Sequence, residues 1–186
     1  EFTSEESGGF HFYGESSKGK STCARALCSL WGPANERGEM GTWRTTDNGL
    51  ESAAAAHTHL PLILDEIGQA SPALLALIIY MLGNERGKGR ATKGLEARRV
   101  LTWRLLFLST GEETIEDYAA KAPGKKGALK EGVKMRMADI PAAAGGPEFG
   151  VFDGEFDPTK TKDERLALAA QYANQINTCL LYTSDA

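Results

Sequence analysis

The chain has few of the features that mark several large classes of protein. It contains only three cysteines in 186 residues, and two of them, Cys23 and Cys28, lie in one predicted helix. No zinc-binding spacing is present, and two thiols inside a helix are more typical of free, buried cysteines than of a disulfide. Neither a zinc module nor a disulfide scaffold is therefore expected.

Long apolar runs and a strong excess of one charge are also missing. No apolar run approaches the length of a transmembrane helix, so we expect no membrane partner, and the cytoplasm is the simplest setting. The formal net charge is −4, which gives no global basic field to attract nucleic acid. With 41% hydrophobic and 25% charged residues, the composition is typical of a globular protein.

Both ends of the sequence look truncated. The first residue is Glu1, and the first predicted strand follows within a few residues. Residues 179–186 resemble the translation of a sequencing adapter, and a genuine tail is the alternative. We therefore expect one domain over residues 1–178, cut at both ends, and an artefactual tail over residues 179–186.

A phosphate-loop pattern is the most informative segment that is present. Gly-x-x-x-x-Gly-Lys-[Ser/Thr] is satisfied at every constrained position by Gly14, Glu15, Ser16, Ser17, Lys18, Gly19, Lys20, Ser21 and Thr22. The glycines let the backbone wrap a phosphate, Lys20 can reach the β- and γ-phosphates, and Ser21 can hold Mg²⁺. The pattern therefore predicts ATP and Mg²⁺ as cofactors, with all nine residues at the nucleotide.

The flanks of this segment fit the same interpretation. An aromatic strand is predicted over Phe10–Tyr13, and a helix rich in Ala, Leu and Cys over Gly19–Trp31. A helix N-terminus at Lys20 also favours bound negative charge. The bland alternative is a glycine-rich turn with a solvated lysine, but it would not explain this order of strand, loop and helix.

A second motif is the apolar run Leu60–Leu64 followed by two carboxylates, which is typical of a Walker B strand. We predict that Asp65 holds Mg²⁺ and that Glu66 orients and deprotonates the attacking water. The alternative is that both carboxylates cap the next helix or face solvent. Glu51 competes with Glu66 for the catalytic role, because some hexameric helicases carry that carboxylate after the first helix.

A third predicted strand, Trp103–Leu108, runs into a polar segment. Ser109 or Thr110 would sense the γ-phosphate from the end of this strand. An ordinary strand-to-helix connection with a helix N-cap explains the same residues equally well.

These elements predict an α/β fold, namely a P-loop NTPase with three α/β/α layers and a mainly parallel central sheet, like RecA or AAA+ domains. Five strands are expected near Phe10–Tyr13, Gly41–Thr45, Leu60–Asp65, Arg104–Leu108 and Lys134–Ile140. Further helices are expected near Leu50–His57, Pro72–Leu82, Glu113–Ala120 and Asp163–Ile176.

Taken together, the motifs resemble the domain-of-unknown-function family numbered 927. The matching segments are Gly9–Thr22, Asn48–Glu51, Ala53–His57, Leu64–Gln69, Tyr80–Leu82, Gly87–Ala91, Trp103–Arg104, Leu108–Glu112 and Arg136–Ala142. The resemblance implies a helicase-like ATPase of phage and mobile elements, sometimes found beside a primase. It therefore implies a role in DNA replication, with single-stranded or forked DNA and a primase domain or protein as partners.

A basic segment lies between the Walker B strand and the third predicted strand. Residues 85–99 hold six basic and two acidic residues, and their glycines suit a turn-rich loop or a hairpin. By analogy with superfamily 3 helicases, Lys88, Arg90 and Lys93 would grip the backbone of single-stranded DNA. A solvated charged loop is the alternative.

Arg136 follows a second basic stretch and is the candidate for an arginine finger supplied to a neighbouring subunit in a homo-oligomeric ring. Arg104 competes for this role, and an intramolecular salt bridge is the alternative for either residue. Two functions remain open. One is an ATP-driven DNA helicase or translocase, and the other is an ATP-dependent switch or assembly module without unwinding activity. A small-molecule kinase is less favoured, because no acceptor-binding lid is apparent.

Overall fold

A five-stranded parallel sheet forms the centre of the fold. The computed structural model describes residues 6–32, 40–91, 97–98, 100–124, 129–143, 151 and 159–184. The strands are β1 (Gly8–Tyr13), β2 (Met40–Thr42), β3 (Pro61–Asp65), β4 (Arg90–Ala91), β5 (Ala97–Arg98), β6 (Leu106–Gly111) and β7 (Met137–Pro141). The sheet order is β2-β3-β6-β1-β7, with every neighbouring pair parallel, while β4 and β5 form a separate antiparallel pair.

Helices connect these strands, as parallel pairing requires. They are α1 (Lys20–Cys28), α2 (Asp47–Ala56), α3 (Pro72–Gly83), α4 (Ile115–Ala120), α5 (Glu131–Lys134) and α6 (Lys162–Ser184), with a 3-10 turn at Ile67–Gln69. Threonine side chains cap three helix starts within the described residues: the hydroxyls of Thr46, Thr114 and Thr161 accept hydrogen bonds from the backbone N–H of Gly49 (3.2 Å), Asp117 (3.1 Å) and Glu164 (3.4 Å).

Buried side chains lie on both faces of the sheet. The larger cluster joins one face to α2, α3 and α4, and includes Leu50, Leu64, Ile79, Phe107 and Tyr118. The smaller cluster joins the other face to α1, and includes Ala24, Cys28, Met40, Ile63 and Leu108. The sheet therefore lies between two helical layers, and the predicted α/β fold with a parallel central sheet is confirmed.

The strand order places a crevice at one end of the sheet. From β1 the chain crosses through α1 to β2, whereas from β6 it crosses through α4 and α5 to β7, on the opposite side of β1. Connections that leave neighbouring strands in opposite directions open a crevice at the strands' carboxyl ends. The phosphate-loop pattern follows β1, and the two carboxylates follow or end β3, so both motifs lie at this crevice.

Three predicted strands were wrong in their bounds, and the one predicted over Gly41–Thr45 ends at Thr42. The strand predicted over Trp103–Leu108 lies at Leu106–Gly111, because parallel pairing with β1 continues as far as Tyr13 opposite Gly111. The strand predicted from Lys134 begins at Met137, because the preceding residues form the short helix α5 around the buried Val133. Within the described ranges, every helix is too short or too polar to cross a membrane.

Candidate functional site

The loop between β1 and α1 contains three residues with positive φ angles. Gly14 has φ 149° and Gly19 has φ 84°, both in the region that favours glycine. Ser17, at φ 62°, shares this region at an energetic cost. The N–H of Gly14 donates to the carbonyl of Gly111 (3.2 Å), which fixes the start of the loop to the end of β6.

Lys20 is the first residue of α1 and is only 8% exposed. Its Nζ donates to the carbonyl oxygens of Gly14 (2.8 Å) and Glu15 (2.7 Å), so the ammonium group lies inside the curve of the loop. Burial lowers the pKa of Lys20, while the nearby charges of Glu112, Glu66 and Asp65 act to raise it. The site therefore holds a cation among backbone dipoles, with three carboxylates in its surroundings.

Asp65 joins the phosphate-loop segment to β3 and β6. Its Oδ1 accepts hydrogen bonds from the hydroxyl of Ser21 (3.1 Å) and from the hydroxyl of Thr110. Three residues predicted to act on the nucleotide or its metal ion are thus brought into direct contact. They come from α1, β3 and β6, which the parallel sheet places side by side.

Glu66 has an unusual backbone conformation, with φ 59° and ψ 82°. Its N–H donates to the Thr110 hydroxyl (3.0 Å), and its Oε1 accepts from the N–H of Gly68 (3.1 Å). The following turn is held by Tyr118, whose hydroxyl donates to the Ala70 carbonyl (2.7 Å). Strained non-glycine residues cluster at functional sites, and Glu66 also lines the cleft described next.

A polar cleft of about 170 Å³ lies at this end of the sheet. Its lining consists of Ser16, Ser17, Lys18, Gly19, Lys20, Ser21, Thr22, Glu66, Thr110 and Glu112. The N-terminus of α1 opens onto it, so backbone N–H groups and the helix dipole favour an anion there. Loop amides, a buried cation and carboxylates around one cleft are suited to binding and cleaving a phosphoanhydride.

The oxygen atoms of Ser21 and Asp65 fit a magnesium ion. Mg²⁺ prefers oxygen ligands and usually takes one or two from the protein, with the rest from substrate phosphates and water. The described residues contain no group of three or more His, Cys, Asp or Glu side chains that could hold a metal ion alone. A site that shares its ion with a bound phosphate is consistent with both observations.

Ser109 and Thr110 point to opposite faces of β6, and only Thr110 lines the cleft. Ser109 is fully buried; its hydroxyl accepts from Trp43 Nε1 (2.9 Å) and lies 2.9 Å from His11 Nδ1. His11 Nε2 lies 2.9 Å from the Glu113 carbonyl and must donate to it, so Nδ1 of the neutral ring accepts from Ser109. Of the two sensor candidates, Thr110 is therefore the one that lies at the cleft.

Glu112 was missed as a site residue. It lines the cleft, and of the charged groups near Lys20 it raises the pKa of Lys20 the most. The sequence signal was its place at the end of a strand that neighbours β1. Gly111, just before it, is closely packed: a Cβ there would lie 2.5 Å from Ile67 Cγ2 and 2.9 Å from His11 Cε1.

Arg136 lies at the opposite end of the sheet from the phosphate-loop segment of the same chain. It immediately precedes β7, and its guanidinium donates to the Gly132 carbonyl (2.9 Å) and to Asn84 Oδ1 (3.0 Å). The group also stacks on the Tyr80 ring, 5.0 Å from its centre. Within one chain Arg136 thus has a structural role, and its role as a finger towards a second subunit stays a prediction.

Arg104, the competing candidate, is engaged at the same end of the sheet. Its Nε lies 3.3 Å from Glu85 Oε1, and Glu85 also accepts from the N–H of Ser7 (2.9 Å). Burial acts to raise the pKa of Glu85, but the hydrogen bonds from Ser7 and Arg104 lower it overall. The intramolecular salt bridge that we considered for Arg104 is present.

The described parts of the basic segment pair antiparallel, which agrees with the hairpin, one of the two structures that the glycine spacing suits. Arg86 pairs with Thr102, Arg90 with Arg98 and Ala91 with Ala97, all in one continuous register. Backbone hydrogen bonds from Gly87 to Leu101 (2.9 Å) and from Trp103 to Glu85 (3.1 Å) extend it to its base. Lys93 and the side chain of Arg90 lie outside the described residues.

Lys88 is tied to α2 at the base of this hairpin. Its Nζ lies 2.7 Å from Asp47 Oδ2, and its N–H donates to Glu51 Oε1 (3.3 Å). Glu51 is 2% exposed and supports the hairpin instead of lining the cleft. Of the two candidate catalytic carboxylates, the geometry therefore favours Glu66.

Comparisons with known proteins add a family and a fold. The family model described as "Domain of unknown function (DUF927)" matches residues 1–101. Among solved structures, the SCCmec type IV Cch active helicase superposes with a TM-score of 0.57 at 20% identity, covering 90% of this chain and 26% of the helicase chain. The chain thus spans about a quarter of that protein, and the likeness supports the fold alone.

Two structures of NtrX from Brucella abortus match more weakly. One has a TM-score of 0.43 at 16% identity and covers 99% of this chain and 47% of NtrX. The other, in complex with ADP, has a TM-score of 0.44 at 17% identity and covers 94% of this chain and 45% of NtrX. None of the curated proteins matches the sequence.

Proposed function

The chain belongs to the DUF927 family, and from its cleft we propose that it binds ATP with Mg²⁺ and hydrolyses it. The observation that carries this proposal is the convergence of Lys20, the Ser21–Asp65 pair and Glu66 on one cleft at a helix N-terminus. Residues 14–22 cradle the phosphates with backbone N–H groups, and Lys20 neutralises charge on the β- and γ-phosphates.

Each carboxylate has its own task in this proposal. Asp65 and Ser21 hold the metal ion, which supplies charge neutralisation at the transferred phosphoryl group. Glu66 orients a water molecule and accepts its proton while the oxygen attacks the γ-phosphorus and ADP leaves. The exposed carboxylate of Glu66, on a backbone fixed by Thr110, suits a base that must reach a substrate-bound water.

We assign the hairpin to single-stranded or forked DNA, with hydrolysis driving a helicase or translocase in phage or mobile-element replication. The support is the positive charge of this segment, in which Arg86, Lys88 and Arg90 lie on one side of the antiparallel pairing. The proposal includes a homo-oligomeric ring, in which Arg136 would act on a neighbouring subunit's nucleotide. It also includes an associated primase, as the family resemblance implies.

A switch without unwinding activity is the second candidate, and one observation favours it. The Lys88 ammonium is neutralised by Asp47 within the chain, which reduces the positive charge that the base of the hairpin offers to a phosphate backbone. In this function, ATP occupancy would control assembly with a partner, and turnover would be slow.

Mg²⁺-dependent ATP hydrolysis by the 186-residue chain, with and without a single-stranded oligonucleotide, tests these alternatives. DNA-stimulated hydrolysis that disappears in Lys20→Ala supports the motor. Binding of ATP with slow turnover that ignores DNA supports the switch. Failure to bind ATP in the presence of Mg²⁺ would contradict both.

A further inference from the structure

Thr110 connects the Asp65 carboxylate to the backbone of Glu66 through a single hydroxyl group. The residue is 2% exposed and lies in β6, between the strands that carry the loop and the carboxylates. Its Oγ1 donates to Asp65 Oδ1 and accepts from the N–H of Glu66 (3.0 Å). One side chain thus touches the predicted metal ligand and the backbone of the predicted base.

The number of protons available decides what this hydroxyl can do. A threonine hydroxyl carries one hydrogen, and an ionised carboxylate can only accept. The Thr110 hydrogen is therefore committed to Asp65, while a lone pair takes the Glu66 N–H. To donate to a γ-phosphate oxygen, Thr110 would have to release Asp65, so the geometry does not suit a direct phosphate sensor.

The contact with Glu66 has a further consequence for its backbone. Glu66 is in the left-handed region at φ 59°, a conformation that costs a non-glycine residue about 1 kcal/mol or more. Its N–H is fixed by Thr110 on one side, and the following turn is fixed by Tyr118 on the other. These contacts hold the Glu66 side chain at the mouth of the cleft.

We propose that Thr110 is a positioning residue, which orients Asp65 towards the metal ion and Glu66 towards water without itself contacting the γ-phosphate. This inference rests on the proposed function, since it assigns Thr110 a role in the same cleft. It separates two roles that a polar residue at this strand end can have. Positioning acts with any bound nucleotide that shares its metal ion, whereas sensing requires the γ-phosphate.

ADP is therefore the discriminating ligand, because it lacks the γ-phosphate. The experiment measures ADP affinity by calorimetry, with Mg²⁺ and with EDTA, for the wild type, Thr110→Val and Thr110→Ser. We expect Thr110→Val to bind ADP with wild-type affinity in EDTA. With Mg²⁺, its ADP affinity should be about tenfold lower than that of the wild type, as is typical when a hydrogen-bond partner of a metal ligand is removed. Thr110→Ser keeps the hydroxyl and should retain that tightening.

Sensing predicts the opposite pattern. If Mg²⁺ tightens ADP binding equally in Thr110→Val and the wild type, and only ATP affinity or hydrolysis falls, the positioning role is overturned. Thr102→Val is a matched control, since Thr102 lies outside the cleft, at the base of the hairpin. If the valine variant does not fold, Thr110→Ala replaces it with the same expected loss, and an unchanged response to Mg²⁺ again overturns the role.

Failure of this inference is distinguishable from failure of the proposed function. A wild-type chain that binds ADP more tightly with Mg²⁺, alongside a Thr110→Val chain that does the same, contradicts only the positioning role. A wild-type chain that binds neither ATP nor ADP contradicts the proposed function, and the positioning role falls with it.

Discussion

The two ends of the central sheet use their charged residues differently. At the carboxyl end, the Lys20 ammonium is held by two neutral carbonyl groups, and Glu66 and Glu112 open onto a polar cleft. At the opposite end, Arg104 is paired with Glu85, and Arg136 is held by a carbonyl, an amide and an aromatic ring.

This difference separates charges that stabilise the fold from charges that suit a ligand. A partly buried arginine whose hydrogen bonds are met within the chain contributes to stability, and its loss is felt on unfolding. A buried cation beside carboxylates and loop amides is arranged for a partner that carries more negative charge than a carbonyl. Substitutions at the two ends should therefore affect different measurements.

Lys20→Ala should have the largest effect on ATP hydrolysis of the substitutions considered at the two ends of the sheet. Removing the cation from the cleft should lower ATP hydrolysis by about 10³-fold, because charge on the phosphates would no longer be neutralised. Lys134→Ala is the matched control, since Lys134 lies near the other end of the sheet and pairs with Glu116 at 2.9 Å. Steady-state hydrolysis of both purified variants checks this; equal losses in the two would contradict it.

Glu66→Gln should separate hydrolysis from binding. The amide cannot accept the proton of the attacking water, so the rate should fall by about 10²-fold while ATP affinity stays near that of the wild type. Glu51→Gln should leave hydrolysis intact, because Glu51 contacts the backbone N–H of Lys88 and not the cleft. Binding and single-turnover assays of both variants test this. Loss of hydrolysis in Glu51→Gln alone would assign the catalytic carboxylate to α2.

Arg136→Ala should affect the free energy of unfolding instead. The variant loses hydrogen bonds to Gly132 and Asn84 and the stacking on Tyr80, together about 1–3 kcal/mol. Urea unfolding measures this change. If Arg136 has only this structural role, the folded Arg136→Ala variant should hydrolyse ATP at the wild-type rate.

The finger hypothesis predicts a different result for the same variant. If Arg136 acts on a neighbouring subunit, Arg136→Ala should lose hydrolysis while folded, and mixing it with Lys20→Ala should partly restore activity. Well-formed mixed assemblies without recovery would contradict the finger.

How much of this molecule could be predicted from sequence depends on the distance between partners. The phosphate-loop pattern is local, so its glycines at positions 14 and 19 could be placed before the structure, and both adopt the expected positive φ. The glycine spacing of residues 85–99 limited that segment to a turn-rich loop or a hairpin, and the antiparallel pairing of β4 with β5 agrees with the hairpin. The hydrogen bond from Arg136 to Asn84 was not predictable, because Asn84 lies 52 residues away along the chain.

The choice between Ser109 and Thr110 shows a second limit. In a strand, a shift of one residue reverses which side chain faces a given side. The strand was predicted to end at Leu108, but pairing with β1 carries it to Gly111 and fixes the faces of both residues. Only that long-range register buries Ser109 against Trp43 and His11 and brings Thr110 to Asp65.

The smallest expected effect concerns His11, which is fully buried in β1 and hydrogen-bonds to Ser109 and the Glu113 carbonyl. Burial lowers the pKa of His11 from its ordinary value of 6.5, against opposing effects of the Glu113 carbonyl, Asp139 and Glu66. Between the lowered pKa of folded His11 and 6.5, the unfolded chain therefore binds a proton that the folded chain does not. Stability should be full above this pH and decline as pH falls, by at most about 1.4 kcal/mol per pH unit.

Urea midpoints between pH 7.5 and 5.5 measure this decline, and His11→Gln should flatten it, because glutamine does not titrate. Asp139 has the opposite tendency, since burial raises its pKa from 3.8 and so favours the folded state in acid. His11→Gln retains Asp139, so the difference in slope between the two chains reports the His11 contribution. Parallel slopes in the wild type and His11→Gln would show that His11 is not the group responsible.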